Sequence, residues 1–394
     1  MLIEGIHSFH INESGAPTGG AERYLIALHQ ELQASGNPAI LIYGRNEPGT
    51  YLPPDGSTIV EGIDLADEPE SSRAGFLQLL KHNKPDLIHF HNLNNTSLIS
   101  QMSTTQTTVR TVHDSRLFCP MEFRMKNNGE LCNEAAGLNC LACMSDFQMD
   151  NDESITRLKQ TMQEIEATKQ VSILVTPSNY IREQLILNQV DDSKIIVIPP
   201  FLLNEIDTSS SHMEKETTDV LFVGRIVRSK GLHLLLESLV ELPNDTTLTI
   251  VGDGPDLNNN IELSRRLKLG NRVSFVGWAN SNQLSHYYRR SKVLAVPSMG
   301  PEAFGLVGLE AMAEGKPVVA FDSGGINQWL VDGINGYLVS RGNVEDLTDK
   351  IGRLINNQDL RNSFGHNGLS MIHETFNRKA HVDRLLTIYQ SILT

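Results

Sequence analysis

The chain is short of cysteine, of cationic charge and of long apolar runs, and each shortage excludes something. Only four of its 394 residues are cysteine, and Cys119, Cys132, Cys140 and Cys143 all fall inside 25 residues. A disulfide-stapled secreted domain would need more of them, spread more widely. Lys and Arg number 33 against 47 Asp and Glu, for a formal net charge of −14. That balance argues against non-specific nucleic-acid binding and against a strong polybasic membrane anchor. No apolar run reaches the length of a membrane-spanning helix. The opening Met1-Leu-Ile-Glu-Gly-Ile lacks the charged-then-apolar pattern of a signal peptide. A cytoplasmic location is the expectation, with peripheral contact at the inner membrane face left open. Three phosphate-binding patterns are also missing. No Gly-x-Gly-x-x-Gly follows the first strand-like segment and no Walker-type loop occurs. No Asp-x-Asp stands where it would hold a nucleotide diphosphate through a metal.

At 394 residues the chain is long for one core, and two domains are expected. Short apolar segments alternate with helical stretches throughout. In the first half, strands are expected over 2–9, 39–43, 57–60, 85–90, 107–112, 171–176 and 194–199. Helices are expected over 21–35, 75–83, 154–169 and 181–187. In the second half, strands are expected over 219–224, 247–251, 273–277, 292–296, 317–321 and 336–339. The helices there fall near 232–240, 258–269, 283–290, 304–314, 325–331, 344–356, 358–374 and 378–393. Such alternation predicts a parallel sheet with helices on both faces in each half. The polar, Ser- and Thr-rich run over 202–218 reads as the linker. In parallel sheets, ligands bind beyond the carboxyl ends of the strands. Gly19, Gly20, His91, Asn92, His113 and Asp114 all fall there.

The densest motif is Pro297-Ser-Met-Gly-Pro-Glu-Ala-Phe-Gly-Leu-Val-Gly-Leu-Glu-Ala-Met-Ala-Glu-Gly-Lys-Pro-Val-Val-Ala-Phe-Asp-Ser-Gly-Gly. It reads as loop, helix, strand and loop, with a helix opening just after Glu302. A helix N-terminus presents unpaired N–H groups and a positive dipole end to an anion. Glu310 shares its helix face with apolar neighbours, among them Leu306, Val307 and Ala313. One carboxylate at the helix mouth and another in an apolar setting suggest a polar ligand beside a diphosphate. The plainer reading is a carboxylate that only stabilises the helix dipole, plus a partly exposed Glu. Arg225 and Lys230 lie in a loop beyond the first strand of the same half. Together with the helix start they can hold a diphosphate, although a solvated basic loop has the same composition.

The cysteines interrupt the alternation within 117–150, spaced Cys-x12-Cys-x7-Cys-x2-Cys. The closing Cys-x2-Cys is the ligand pair of a structural zinc site, while the first two are irregularly placed. Zinc is therefore expected as an option, against reduced thiols that pack a loop.

These residues resemble a family. The two Glu residues with seven between them, Glu302 and Glu310, in Pro-Glu-Ala-Phe-Gly-Leu-Val-Gly-Leu-Glu-Ala-Met-Ala-Glu-Gly, look like the signature of the family-4 retaining glycosyltransferases (glycosyltransferase group 1). Gly19-Gly20-Ala-Glu-Arg, Pro85-Asp-Leu-Ile-His-Phe-His and Val223-Gly-Arg-Ile-Val-Arg-Ser-Lys-Gly fit the same family. The resemblance spans nearly the whole chain. It implies an α/β GT-B fold, with two Rossmann-like doubly wound domains facing across a cleft. The expected division is an acceptor-side domain over 1–200, a nucleotide-sugar domain over 201–375, and a terminal helix over 376–394 that packs back on the first domain. The implied activity is sugar transfer from a UDP- or GDP-sugar to a glycan, lipid-linked or small-molecule acceptor, with no catalytic metal.

Residue by residue, the resemblance implies that Arg225 and Lys230 bind and stabilise the leaving diphosphate. Phe304, Gly305 and Leu306 would offer backbone N–H groups to sugar and phosphate. Glu302 would hold the sugar hydroxyls and Glu310 the ribose. Gly19 and Gly20 would allow close backbone approach, Gly254 would line the donor site, and His113 would contact the transferred sugar. The cysteine segment lies outside the family's common core. Two rival readings remain at this level. A nucleotide-sugar epimerase on the same scaffold would convert donor without acceptor. A non-catalytic nucleotide-sugar-binding protein would tolerate loss of Arg225 and Glu302.

Overall fold

The computed structural model describes residues 5–16, 19–45, 56–203 and 216–394. The chain divides into two compact units. One comprises Met1–Asn127, Cys132–Leu203 and Arg378–Thr394, and the other Asn128–Leu131 and Asn204–Asn377.

The first unit runs β1 (Ser8–Ser14), α1 (Gly20–Ala34), β2 (Ala39–Arg45), β3 (Ser57–Ile59), α2 (Glu70–Asn83), β4 (Leu87–Phe90), α3 (Thr96–Thr105), β5 (Thr108–Thr111), α4 (Asn139–Asp146), α5 (Asn151–Lys169), β6 (Ile173–Thr176), α6 (Asn179–Leu187) and β7 (Ile195–Val197). Its strands form one parallel sheet in the order β3-β2-β1-β4-β5-β6-β7. Strand order reverses between β1 and β4, which makes this the switch point where such sheets open a crevice.

The second unit runs β8 (Thr218–Val223), α7 (Leu232–Glu241), β9 (Leu248–Val251), α8 (Leu257–Arg266), β10 (Val273–Gly277), α9 (Ser281–Arg289), β11 (Ser291–Val296), α10 (Leu306–Ala313), β12 (Val318–Phe321), β13 (Gly336–Val339), α11 (Val344–Asn356) and α12 (Gln358–Thr375). Its sheet is parallel in the order β10-β9-β8-β11-β12-β13, with the switch point between β8 and β11. The interior strand β12 is Val-Val-Ala-Phe, fully buried, as a strand covered on both faces requires. Helix α11 shows how the cover forms. Leu347, Ile351 and Leu354 make one buried stripe, Glu345 and Asp346 favour its first turn, and the Asn343 side chain accepts from Asp346 N–H.

The last helix, α13 (Arg378–Leu393), belongs to the first unit. Its His381 Nε2 lies 2.7 Å from the Tyr24 hydroxyl, and its Tyr389 hydroxyl is hydrogen-bonded to His89 Nδ1. Leu385, Leu386 and Tyr389 are buried beneath it.

Several local expectations need correction. The first strand does not occupy 2–9. Among the described residues it starts at Ser8 and continues through His10 and Asn12, because both polar side chains are buried by partners rather than placed in a loop. Helix α3 and the short helix α4 were not expected. Helix α3 is polar in sequence, and its Asn95 side chain caps it at Leu98 N–H. The helix expected from Phe304 begins at Leu306, because Gly305 sits at φ +92° and breaks the turn. The helix expected over 325–331 is one 3-10 turn, Gly325–Gln328. Most of the linker expected over 202–218 falls outside the described residues, while Thr218 already belongs to β8.

Candidate functional site

In the second unit, the loops that follow β8, β11 and β12 are tied together by backbone. Met299 and Gly300 N–H both donate to Ser229 O at 2.8 Å, and Gly325 N–H donates to Glu302 O at 2.8 Å. The glycines make this closeness possible. A Cβ on Gly231 (φ +68°) would meet Pro297 O at 1.8 Å, and one on Gly324 (φ +65°) would meet Glu302 O at 2.2 Å. No larger residue fits either place. Gly254, after β9, likewise lies against the loop after β8, where a Cβ would meet Ile226 O at 2.3 Å.

At the centre, Lys230 Nζ lies 2.6 Å from Glu302 Oε1 and 2.8 Å from Oε2. The Ser298 hydroxyl donates to the same carboxylate. Burial would push the Glu302 carboxyl up. The Lys230 ammonium and the Ser298 hydroxyl outweigh it and hold the pKa below the ordinary carboxylate value. The carboxylate is thus ionised and held in place. Arg225, five residues earlier in the same loop, is exposed; its carbonyl accepts from Val227 N–H at 3.0 Å, and its guanidinium makes no ion pair with a described residue. Lys230, Glu302, Phe304, Gly305 and Leu306 are therefore brought to the carboxyl edge of this sheet, with Arg225 on the adjoining loop.

Helix α10 opens at Gly305, and its start is buttressed from behind. Trp329 Nε1–H donates to Phe304 O at 2.6 Å, and Gly308 sits against the indole with no room for a side chain. Glu310 is 6% exposed, and the Tyr288 hydroxyl donates to its Oε2 at 2.9 Å. Sequence reasoning missed Ser298, Tyr288 and Trp329. Ser298 and Trp329 lie inside or just past the motif, but nothing in their spacing signals their contacts.

In the first unit, His113 lies two residues beyond β5 and is partly exposed. Burial lowers its pKa to about 4, with Asp114 opposing and Arg116 and Arg110 adding to the shift. A cavity of about 20 Å³, wide enough for one water, is lined by His113, His91, Asn94, Glu13 and Arg116 among others. Arg116 pairs with Asp114 at 3.0 Å and Glu13 at 3.2 Å, and Arg45 pairs with Glu13 at 3.0 Å. Gly19 is the extended residue before α1, and Gly20 is the first residue of that helix. The Glu22 carboxylate lies over Gly19, where a Cβ would meet its Oε2 at 2.6 Å.

His10, His89 and His91 each bring a ring nitrogen within 4.8 Å of the other two. Every ring nitrogen is already engaged, however. His10 bonds Ser8 and His91, His91 bonds His10 and His113, and His89 bonds Tyr389 and Thr111. The group is a hydrogen-bonded imidazole series rather than an open metal site. Ile88-His-Phe-His91 signals only that His89 and His91 share a face, because alternate residues of a strand do so.

Comparison with known proteins decides the family. Residues 18–202 match the model for Glycosyltransferase Family 4, and residues 204–371 match that for Glycosyl transferases group 1. The chain belongs to the group 1, family 4 glycosyltransferases. An uncharacterized glycosyltransferase of Methanocaldococcus jannaschii is 32% identical over 202 residues, covering 51% of this chain and 55% of that relative. The lipopolysaccharide core biosynthesis glycosyltransferase LpsE of Rhizobium meliloti is 30% identical over 186 residues, covering 47% and 54%. The chain thus spans about half the length of the curated relatives it matches. Anabaena HepE, solved in complex with UDP-glucose, superposes with a TM-score of 0.73 at 20% identity over 98% of this chain and 99% of that one. The fold is that of the GT-B glycosyltransferases. No described helix is long and apolar enough to cross a membrane.

Proposed function

We propose that this protein transfers a sugar from a nucleoside-diphosphate sugar to an acceptor hydroxyl, with retention at the anomeric carbon and without a catalytic metal. The observation that carries the reading is the Lys230–Glu302 pair, fixed at the start of α10 beside the loop of Arg225. UDP and UDP-glucose bound by HepE support a nucleotide-sugar donor. LpsE and the capsular polysaccharide enzyme CapM of Staphylococcus aureus support a place in polysaccharide or glycolipid synthesis.

When the anomeric bond breaks, positive charge develops on the sugar and negative charge on the diphosphate. Lys230 is already oriented by two carboxylate contacts, so it stabilises the leaving oxygens without reorganisation. Arg225 adds a forked donor for phosphate oxygens, and the free N–H groups at Gly305 and Leu306 add the helix start. Glu302 retains acceptor capacity for sugar hydroxyls while holding Lys230. In the first unit, His113, neutral near pH 7, is the group proposed to contact the transferred sugar. The acceptor oxygen bonds to the anomeric carbon on the face the phosphate leaves, and the acceptor proton passes to the departing diphosphate oxygen.

The test is a panel of UDP- and GDP-sugars in a thermal-shift assay, on wild-type and Lys230→Ala protein. At least one donor should raise the melting temperature of the wild type, and Lys230→Ala should abolish that rise. A panel with no shift overturns the donor site. An inverted anomeric product overturns the front-face mechanism.

A further inference from the structure

The donor chemistry leaves the segment between β5 and α5 unused, and it contains the least expected feature of the chain. Cys119, Cys132, Cys140 and Cys143 all line a single cavity of about 250 Å³. That volume is roughly eight times a water's share of the liquid. Cys119 ends the 3-10 turn Ser115–Phe118, and Cys132 is drawn back by its N–H bond to Arg124 O at 2.9 Å. Cys140 and Cys143 lie three residues apart on α4, so they share a face. All four are free thiols.

Backbone N–H donors and one buried cation border the cavity. The backbone N–H groups of Met121 and Arg124 point at the Cys119 sulfur, and that of Gly137 points at the Cys140 sulfur. Amide donors of this kind tune metal-bound sulfur. Arg124 also lies on the cavity wall, 1% exposed, and its Nε has no partner among the described residues. Its other nitrogens reach Glu134 O and Gln184 Oε1. The Glu134 carboxylate is itself paired with Lys126 at 2.7 Å. A buried cation calls for compensating negative charge. Four protonated thiols provide none, whereas four thiolates around a divalent ion leave a net charge of about −2.

We propose that this cavity is the site of a thiolate-ligated metal centre held by Cys119, Cys132, Cys140 and Cys143. Its dimensions favour an iron–sulfur cluster over a single zinc ion. A zinc ion about 2.3 Å from each sulfur sets the sulfurs under about 4 Å apart. Among the described residues, His10, His89 and His91 form the one group of three potential ligands within 4.8 Å, so no three cysteine sulfurs are that close. One zinc ion would require the side chains to draw inward. A cluster ligated by four thiolates is larger than one ion and takes sulfurs that stand further apart.

The test is zinc, iron and acid-labile sulfide analysis of the full chain purified without oxygen or chelators, with its visible absorption spectrum. A stoichiometric metal centre, reduced in Cys143→Ser and Cys119→Ser, supports the site. Iron with equal sulfide and a broad visible band supports the cluster. One zinc per chain without sulfide retains the site and overturns the cluster. Absence of metal, or disulfides among these four residues, overturns the proposal. Cys119 is buried and its variant can fail to fold, so the wild type is also treated with a strong chelator. Metal release should lower the melting temperature and re-addition restore it. An unchanged melting temperature after metal loss counts against a built site. The donor-induced thermal shift is read separately, so failure of one reading does not mask the other.

Discussion

His91 Nδ1 lies 3.0 Å from His113 Nε2, while His91 Nε2 lies 3.1 Å from His10 Nδ1. The series ends at Ser8 Oγ, 3.1 Å from His10 Nε2. A neutral imidazole carries one N–H, so donation must run one way through all three rings. The tautomer presented at His113 is therefore coupled to a buried serine three groups away. Burial keeps these rings neutral. It lowers His10 to about 3 and His113 to about 4, and it lowers His89 and His91 well below the ordinary value.

Stability should consequently fall on mild acidification. The folded pKa values lie below the unfolded value near 6.5, so the unfolded chain takes up protons first. The contribution is fully present above about pH 6.5 and is lost as pH falls toward 4. For His113 alone the span corresponds to about 3 kcal/mol at most. Urea midpoints measured between pH 7 and pH 5 should decline steadily, and His91→Phe should flatten the slope. Glu302 is held below the ordinary carboxylate value, whereas burial raises Glu22 and Glu164, whose protonation in the folded state opposes the decline, so a slope unchanged by His91→Phe would refute the assignment of neutral rings.

Lys230→Met should reduce sugar transfer by about 100- to 1,000-fold, the range for loss of one preorganised electrostatic group. It should also lower the melting temperature, because Glu302 is left buried without its cation. The double variant Lys230→Met/Glu302→Gln should recover stability but not activity. Additive losses of stability would mean that the pair is not coupled.

The sheets were legible because buried parallel strands are continuous apolar runs, as at Val318–Phe321. The Glu302 and Arg225–Gly231 loops were singled out by their match to the family's motifs, because spacing alone left a solvated basic loop open. The imidazole series was not, because His10 and His91 are 81 residues apart and meet only through the β1–β4 register. Tyr288 and Trp329 were equally hidden, since an aromatic in a helix or turn reads as core until its polar atom is seen to reach Glu310 or Phe304 O.

Gly308 offers a test of the helix start that leaves every charged group in place. A Cβ there would lie 2.0 Å from the Trp329 ring. Gly308→Ala must displace the indole that holds Phe304 O, at a cost of about 1–3 kcal/mol for overpacking. Donor affinity should weaken along with the melting temperature. The Gly352→Ala control, whose nearest contact would be an ordinary 3.5 Å from Leu242, should leave donor affinity unchanged. Equal donor binding by Gly308→Ala and wild type would detach α10 from donor recognition.

Glu310 separates ground-state binding from transition-state binding. Its carboxylate accepts from Tyr288 at 2.9 Å and is buried. If it holds the donor ribose, that contact is the same before and during bond cleavage. Glu310→Gln keeps the shape and the Tyr288 contact but removes the charge, a loss of about 1.5–3 kcal/mol for charge-assisted bonds. KM for the donor should rise about tenfold or more while kcat changes little. Tyr288→Phe should shift KM the same way by less, because the carboxylate survives with one donor fewer. A fall in kcat at unchanged KM would place Glu310 at the reacting sugar and overturn its assignment to the ribose.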